Sequence, residues 1–181
     1  MKARKRTAGL IAAVVTAGVA GAIYATSRRK YSGIKLKKSI IVDRPASELY
    51  AFWRNFENLP PIADMLESVQ VSDDKRSHWV ALGPAGLRVD WDAEITVDRE
   101  NEMIGWRSIE GSTIETAGYV RFERAPGGRG TLVRVALEYN PPAGRGGAAI
   151  SSIFGKRPGA YIEEALRRFK QRTETGEMAR A

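Results

Sequence analysis

The chain has 181 residues, no cysteine, and 29 Lys/Arg against 21 Asp/Glu, for a net charge of +8. That length suits one domain with a short appendage, and the lack of cysteine excludes disulfides, thiolate nucleophiles and cysteine metal sites. Residues 1–38 carry ten of the basic side chains and no acid, leaving 19 basic and 21 acidic residues in the remainder, so the folded part lacks the basic stripe expected of a nucleic-acid binder.

In chain order, residues 1–7 form a basic N-terminus. Ala8 to Ala25 then runs 18 residues without a charge. As a helix it spans roughly 27 Å, close to a hydrocarbon core of about 30 Å. Ala13, Ala17, Gly21 and Ala25 recur at four-residue spacing, a small-residue stripe of the kind that lets membrane helices approach. A cleaved signal peptide is the rival reading, since the n-region is basic and Ala20-Gly21-Ala22 resembles a cleavage site. Arg28-Arg29-Lys30 oppose export and favour an uncleaved single-pass anchor, with its basic flanks on anionic lipid headgroups. Four basic side chains precede the stretch and six follow, so the positive-inside count leans the domain to the cytoplasmic side.

Residues 26–38 read as a basic linker and 39–177 as the domain. Ser39 to Val42 is a first strand. A helix starts near Asp43-Arg44-Pro45-Ala46-Ser47, with Asp43 or Ser47 as its cap. Its apolar face is Leu49, Tyr50, Phe52, Trp53 and Phe56. Asn58-Leu59-Pro60-Pro61 breaks it, and a second short helix follows around Ile62 to Met65. Leu66–Val71 and His78–Leu82 are strands, and Gly83-Pro84-Ala85-Gly86 is a loop. From Arg88 to Asp98, Val89, Trp91, Ala93, Ile95 and Val97 alternate with Asp90, Asp92, Glu94, Thr96 and Asp98, which predicts a strand with one wet face. Met103–Ile109, Ala117–Glu123 and Thr131–Tyr139 continue the sheet, with a hairpin loop at Pro126–Gly130. Ile150, Ile153 and Phe154 suggest a helical lead-in that Pro158 interrupts. Tyr161, Ile162, Ala165, Leu166 and Phe169 then share one helical face, with charged residues opposite and Gly176 as a stop. The order is α+β: an antiparallel sheet of about seven strands, two short helices after the first, and one C-terminal helix long enough to cover the apolar face.

Several fragments carry a resemblance. They are Ile40-x-Val42-x-Arg44-Pro45-Ala46, Leu49-Tyr50-x-Phe52-Trp53-Arg54-x-Phe56-Glu57-Asn58-Leu59-Pro60, Trp91-Asp92-Ala93-Glu94-Ile95, Ile104-x-Trp106-Arg107-Ser108, Gly118-x-Val120-x-Phe122 and Leu166-Arg167-Arg168-Phe169-Lys170. Over roughly residues 39–177 the chain resembles the polyketide cyclase/dehydrase and coenzyme Q-binding proteins of the START-like (SRPBCC) superfamily. The resemblance implies a helix-grip fold, a curved sheet wrapped on the C-terminal helix around an apolar pocket. It does not single out one activity, because the fold hosts carriers, receptors and cyclases.

The residues offer little catalytic chemistry. His78, the only histidine, shares strand register with Val80 and Leu82 but has no orienting partner in view, so it reads as structural or surface. Asp90, Asp92 and Glu94 belong to the wet strand face. Gly127-Gly128-Arg129-Gly130 and Gly144-Arg145-Gly146-Gly147 lack the Lys-Ser/Thr of a phosphate loop and read as turns. No metal spacing is present and no cofactor is expected. The expected ligand-binding residues are apolar and aromatic: Trp53, Trp79, Trp91, Trp106, Tyr119, Phe122, Tyr139, Ile162, Leu166 and Phe169, with Ser108 beside Arg107 as a polar contact to a carbonyl. Their partner would be a hydrophobic small molecule, an isoprenoid quinone or a lipid. A cyclase or dehydrase, and a ligand-free module binding a membrane partner, stand as the alternatives. The sequence leaves the oligomeric state open.

Overall fold

The computed structural model describes residues 34–83, 86–140 and 158–176, all within the unit Tyr31–Ala181. The apolar stretch 8–25, its basic flanks up to residue 33, Pro84, Ala85, and the segment holding Ile150, Ile153 and Phe154 lie outside the described residues. Among the described residues no helix is long and apolar enough to cross a membrane.

The elements are β1 (Ile34–Val42), α1 (Ala46–Arg54), a 3₁₀ turn (Phe56–Asn58), β2 (Leu66–Val71), β3 (Arg76–Leu82), β4 (Arg88–Arg99), β5 (Met103–Ser108), β6 (Glu115–Arg124), β7 (Thr131–Asn140) and α2 (Pro158–Thr175). The strands form one sheet in the order β1-β7-β6-β5-β4-β3-β2 with every neighbour antiparallel. Hairpins supply each pairing except the first. The sheet curls, and α2 packs along β1 on its inner face. A one-faced sheet must bury its apolar side; here α1 and α2 do so together through Leu49, Trp53, Leu166 and Phe169.

Several local expectations are corrected. β1 begins at Ile34, so Lys35, Lys37 and Lys38 stand in a strand and not in the linker. Lys35 pairs with Glu138 at 3.4 Å and Lys38 with Glu163 at 2.8 Å. Neither Asp43 nor Ser47 caps α1; Pro45 is its N-cap residue and makes no side-chain cap. The second short helix is the 3₁₀ turn at Phe56–Asn58, and Ile62–Met65 forms turns instead of a helix. α2 begins at Pro158, a position where its missing N–H costs nothing. Gly176 follows the last turn with φ 78°, the left-handed stop that glycine adopts without strain.

Strand faces shift in two places. Ser77, Trp79 and Ala81 take the inner face of β3, which puts His78 outside, where its Nδ1 lies 2.8 Å from Asp92 Oδ1. In β4 the register slips between Ile95 and Val97. Such a bulge adds one residue and reverses the alternation beyond it. Asp90, Asp92 and Glu94 therefore point outward as the alternation predicts, while Asp98 turns to the α1 side. There its carboxylate accepts from Tyr50 Oη at 2.5 Å and Arg54 Nε at 2.7 Å.

Candidate functional site

The inner face is paved with indoles. Trp79 and Trp91 are opposite partners on β3 and β4, stacked with centroids 5.9 Å apart. Trp106 lies flat on β6 because its partner there is Gly118; a Cβ at that glycine would stand 2.5 Å from Trp106 Cζ2. Phe56 reaches down from the 3₁₀ turn between Trp79 and Trp106, with centroids at 5.2 and 5.6 Å. On the helix side, Phe169 meets Phe52 at 5.1 Å and Trp53 at 5.7 Å. These tilted and edge-on contacts are the geometries aromatic quadrupoles favour.

Of the expected site residues, Trp53, Trp79, Trp91, Trp106, Phe122, Ile162, Leu166 and Phe169 converge in one cluster. Tyr139 is fully buried in a second cluster with Ala81, Val89 and Ile114. Ser108 is buried on the inner face, opposite Ala93. Tyr119 is not brought in: it pairs with Gly105 and Ala136 on the outer face, because Gly118, Val120 and Phe122 take the inner one. Arg107 is likewise outside, bound to Glu94.

The two clusters meet at Leu66, Trp91 and Leu137, each of which touches both and is only half-buried. Ile162, on the first turns of α2, is half-buried as well, whereas Leu166 and Phe169 further along the same helical face are closed off. Burial along that helical face therefore rises from Ile162 toward Phe169. Met65 and Leu87 are partly buried against the second cluster, and Tyr161, in the first turns of α2, is exposed.

Polar groups on this inner face are few and buried. Ser77 Oγ accepts the Trp79 indole N–H at 2.8 Å, and Ser108 Oγ accepts the Thr116 backbone N–H at 3.0 Å. Ser77 and Thr116 escaped the sequence reading; the signal was strand parity, since Ser77 stands two residues from Trp79 and therefore on the same face. Burial pushes the Tyr139 phenol above its ordinary pKa, so it stays protonated. Among the described residues, Trp53 Nε1 is buried with no hydrogen-bond partner. Among the described residues no group of three or more His, Cys, Asp or Glu is placed to hold a metal ion. A polar surface cleft of about 760 Å³ lies at the opposite end, between α1 and the β2–β3 and β4–β5 turns. Of its charged groups, Asp73 accepts two backbone N–H groups, and Arg54 binds Asp98 and the Asp74 carbonyl.

Residues 42–167 match the family described as polyketide cyclase / dehydrase and lipid transport. The chain belongs to that family. Its START-like helix grip is the architecture derived above from the seven strands and α2. Within the lipid-transport and cyclase family, the chain is 31% identical over 107 residues to an uncharacterized 17.2 kDa protein of Streptomyces lincolnensis, covering 59% of this chain and 69% of that one. It is similar to the crystal structure of DR_A0006 from Deinococcus radiodurans, with a TM-score of 0.66, 39% identity, and coverage of 79% of this chain and 98% of the other. The Zhui aromatase/cyclase from Streptomyces sp. R1128 shares the fold at a TM-score of 0.59 and 13% identity, over 77% of this chain and 95% of its own.

Proposed function

We propose that this domain binds and carries an apolar small molecule, an isoprenoid quinone or a lipid, in the opening between the sheet and the first turns of α2. The observation that carries the reading is the half-buried set Leu66, Trp91, Leu137 and Ile162, drawn from three strands and a helix and packed against one aromatic cluster. Each 100 Å² of apolar ligand surface moved from water into that opening gains about 2.5 kcal/mol. The uncharged stretch 8–25 supports the further reading that the chain is held at a bilayer, where such ligands dissolve, with the domain on the cytoplasmic side.

The test is mass spectrometry of organic extracts from the full chain purified in mild detergent, beside the variant Ile162→Glu. A near-stoichiometric lipid or quinone in the parent, lost from the variant, is the expected result. Equal trace amounts in both would refute the carrier reading. Protease protection of the domain in sealed vesicles reads the membrane side.

A further inference from the structure

Two hydroxyl groups on the inner face hold hydrogens that the fold does not use. Ser77 and Ser108 are opposite neighbours of the same residue, Ala93, on the strands either side of it. Directly opposite residues point to one face, so both side chains share the inner surface with Trp79 and Trp106, roughly 10 Å apart across two strand spacings. Ser77 is 3% exposed and Ser108 9%. Each oxygen has its acceptor role filled, by Trp79 Nε1 and by the Thr116 N–H. A hydroxyl also carries one donor hydrogen, and among the described residues neither serine donates to anything. A buried donor without an acceptor is costly to the fold, and two of them flank one small alanine in the aromatic floor. The same row continues to Thr116 and, opposite it on β7, Tyr139, whose cluster the half-buried Trp91 and Leu137 pack against.

Resting on the ligand-binding reading above, we propose that Ser77 and Ser108 are specificity-determining donors that bond oxygen acceptors on the ligand. The ligand class is then a flat apolar molecule carrying carbonyl or ether oxygens, and not a plain hydrocarbon tail. The indoles take its faces, and the two hydroxyls select its oxygens.

Equilibrium dialysis of the full chain against 2-methyl-1,4-naphthoquinone and against 2-methylnaphthalene tests this. The hydrocarbon is the more water-averse probe, so a purely apolar site prefers it; the parent protein is expected to prefer the quinone. In Ser77→Ala and Ser108→Ala that preference falls about tenfold each while the hydrocarbon affinity holds, and Ser77→Thr and Ser108→Thr, which keep a hydroxyl, retain part of it. The hydrocarbon probe also reports whether each alanine variant is still folded, and the parent's own preference needs no variant at all. A parent that prefers the hydrocarbon, or alanine variants with an unchanged ratio, overturns the assignment and leaves the hydroxyls holding an internal water. Binding of neither probe overturns the ligand-binding reading and this assignment with it.

Discussion

Gly118→Ala tests the claim that Trp106 is seated by the absence of a side chain beneath it. The added Cβ would lie 2.5 Å from Trp106 Cζ2, 2.8 Å from Cε2 and 2.9 Å from the Ala136 carbonyl oxygen. Carbon atoms in contact settle at about 3.5–4.0 Å, so the indole must rise by about 1 Å. It has little room to do so, because Phe56 crosses it edge-on with centroids 5.6 Å apart. The carbonyl belongs to β7, which is hydrogen-bonded on both sides, so the backbone has little room to yield. Overpacking of this kind costs about 2–3 kcal/mol. For a domain of about 140 residues unfolding with ~2.1 cal/mol/K per residue, that lowers Tm by about 7–10 °C. Thermal unfolding followed by circular dichroism reads the shift, and near-ultraviolet circular dichroism reads the displaced indole. Trp106→Phe in the same chain removes the clashing atoms, so the double variant should lose less than the two single losses added together. An unchanged Tm with an unchanged tryptophan signal in Gly118→Ala would refute the seating argument.

Two further outcomes follow from groups outside the apolar gap. Tyr50 is pushed up to about 12 from 10.0, first by burial and then by its bond to Asp98. The folded value lies above the unfolded one, so the stability it lends is complete below pH 10 and is lost as pH rises toward 12. An alkaline titration of tyrosinate absorbance should show one late phase that Tyr50→Phe removes and Asp98→Asn brings forward; a curve unmoved by either would sink the coupling. Arg44 donates from Nε to the Thr173 carbonyl and from Nη2 to the Glu174 carbonyl, both at 2.9 Å, where α2 ends. Arg44→Ala should cost about 1–3 kcal/mol and speed amide exchange in the last turns of α2. Unchanged exchange there would show that the helix end stands without the guanidinium.

The sheet was legible because one face is wet: alternation in β4 and β7 and the 3.6-residue stripe of α2 each announce a buried side. The errors over which face a side chain takes share a cause, which is parity. Tyr119 and Phe122 stand three residues apart and cannot share a face of one regular strand, yet both are aromatic and both read as ligand contacts. The β4 bulge lies beyond single-sequence reasoning, because the extra residue is defined only against β5. Of the site, the aromatics could be read from the chain, since large flat side chains on successive strands must meet somewhere. The hydroxyl pair could not: Ser77 and Ser108 become neighbours of one alanine only once β3, β4 and β5 are in register.

The order of the sheet also sets the order of assembly. Among the described strands β1 is made first, but there it has β7 as its only strand partner and α2 as its cover. The bond from Thr131 Oγ1 to the Arg44 carbonyl, which ties β7 to the end of β1, spans 87 residues of chain, and the Lys38–Glu163 pair spans 125. At about 5–20 residues per second of synthesis, β1 waits roughly 5–20 s for its partner strand, and longer for its helix. Lys35, Lys37 and Lys38 put three charges on that waiting segment, in the manner by which exposed strand edges are kept from pairing with strangers. The grip can close only from the C-terminal side, after the sheet it holds has been built.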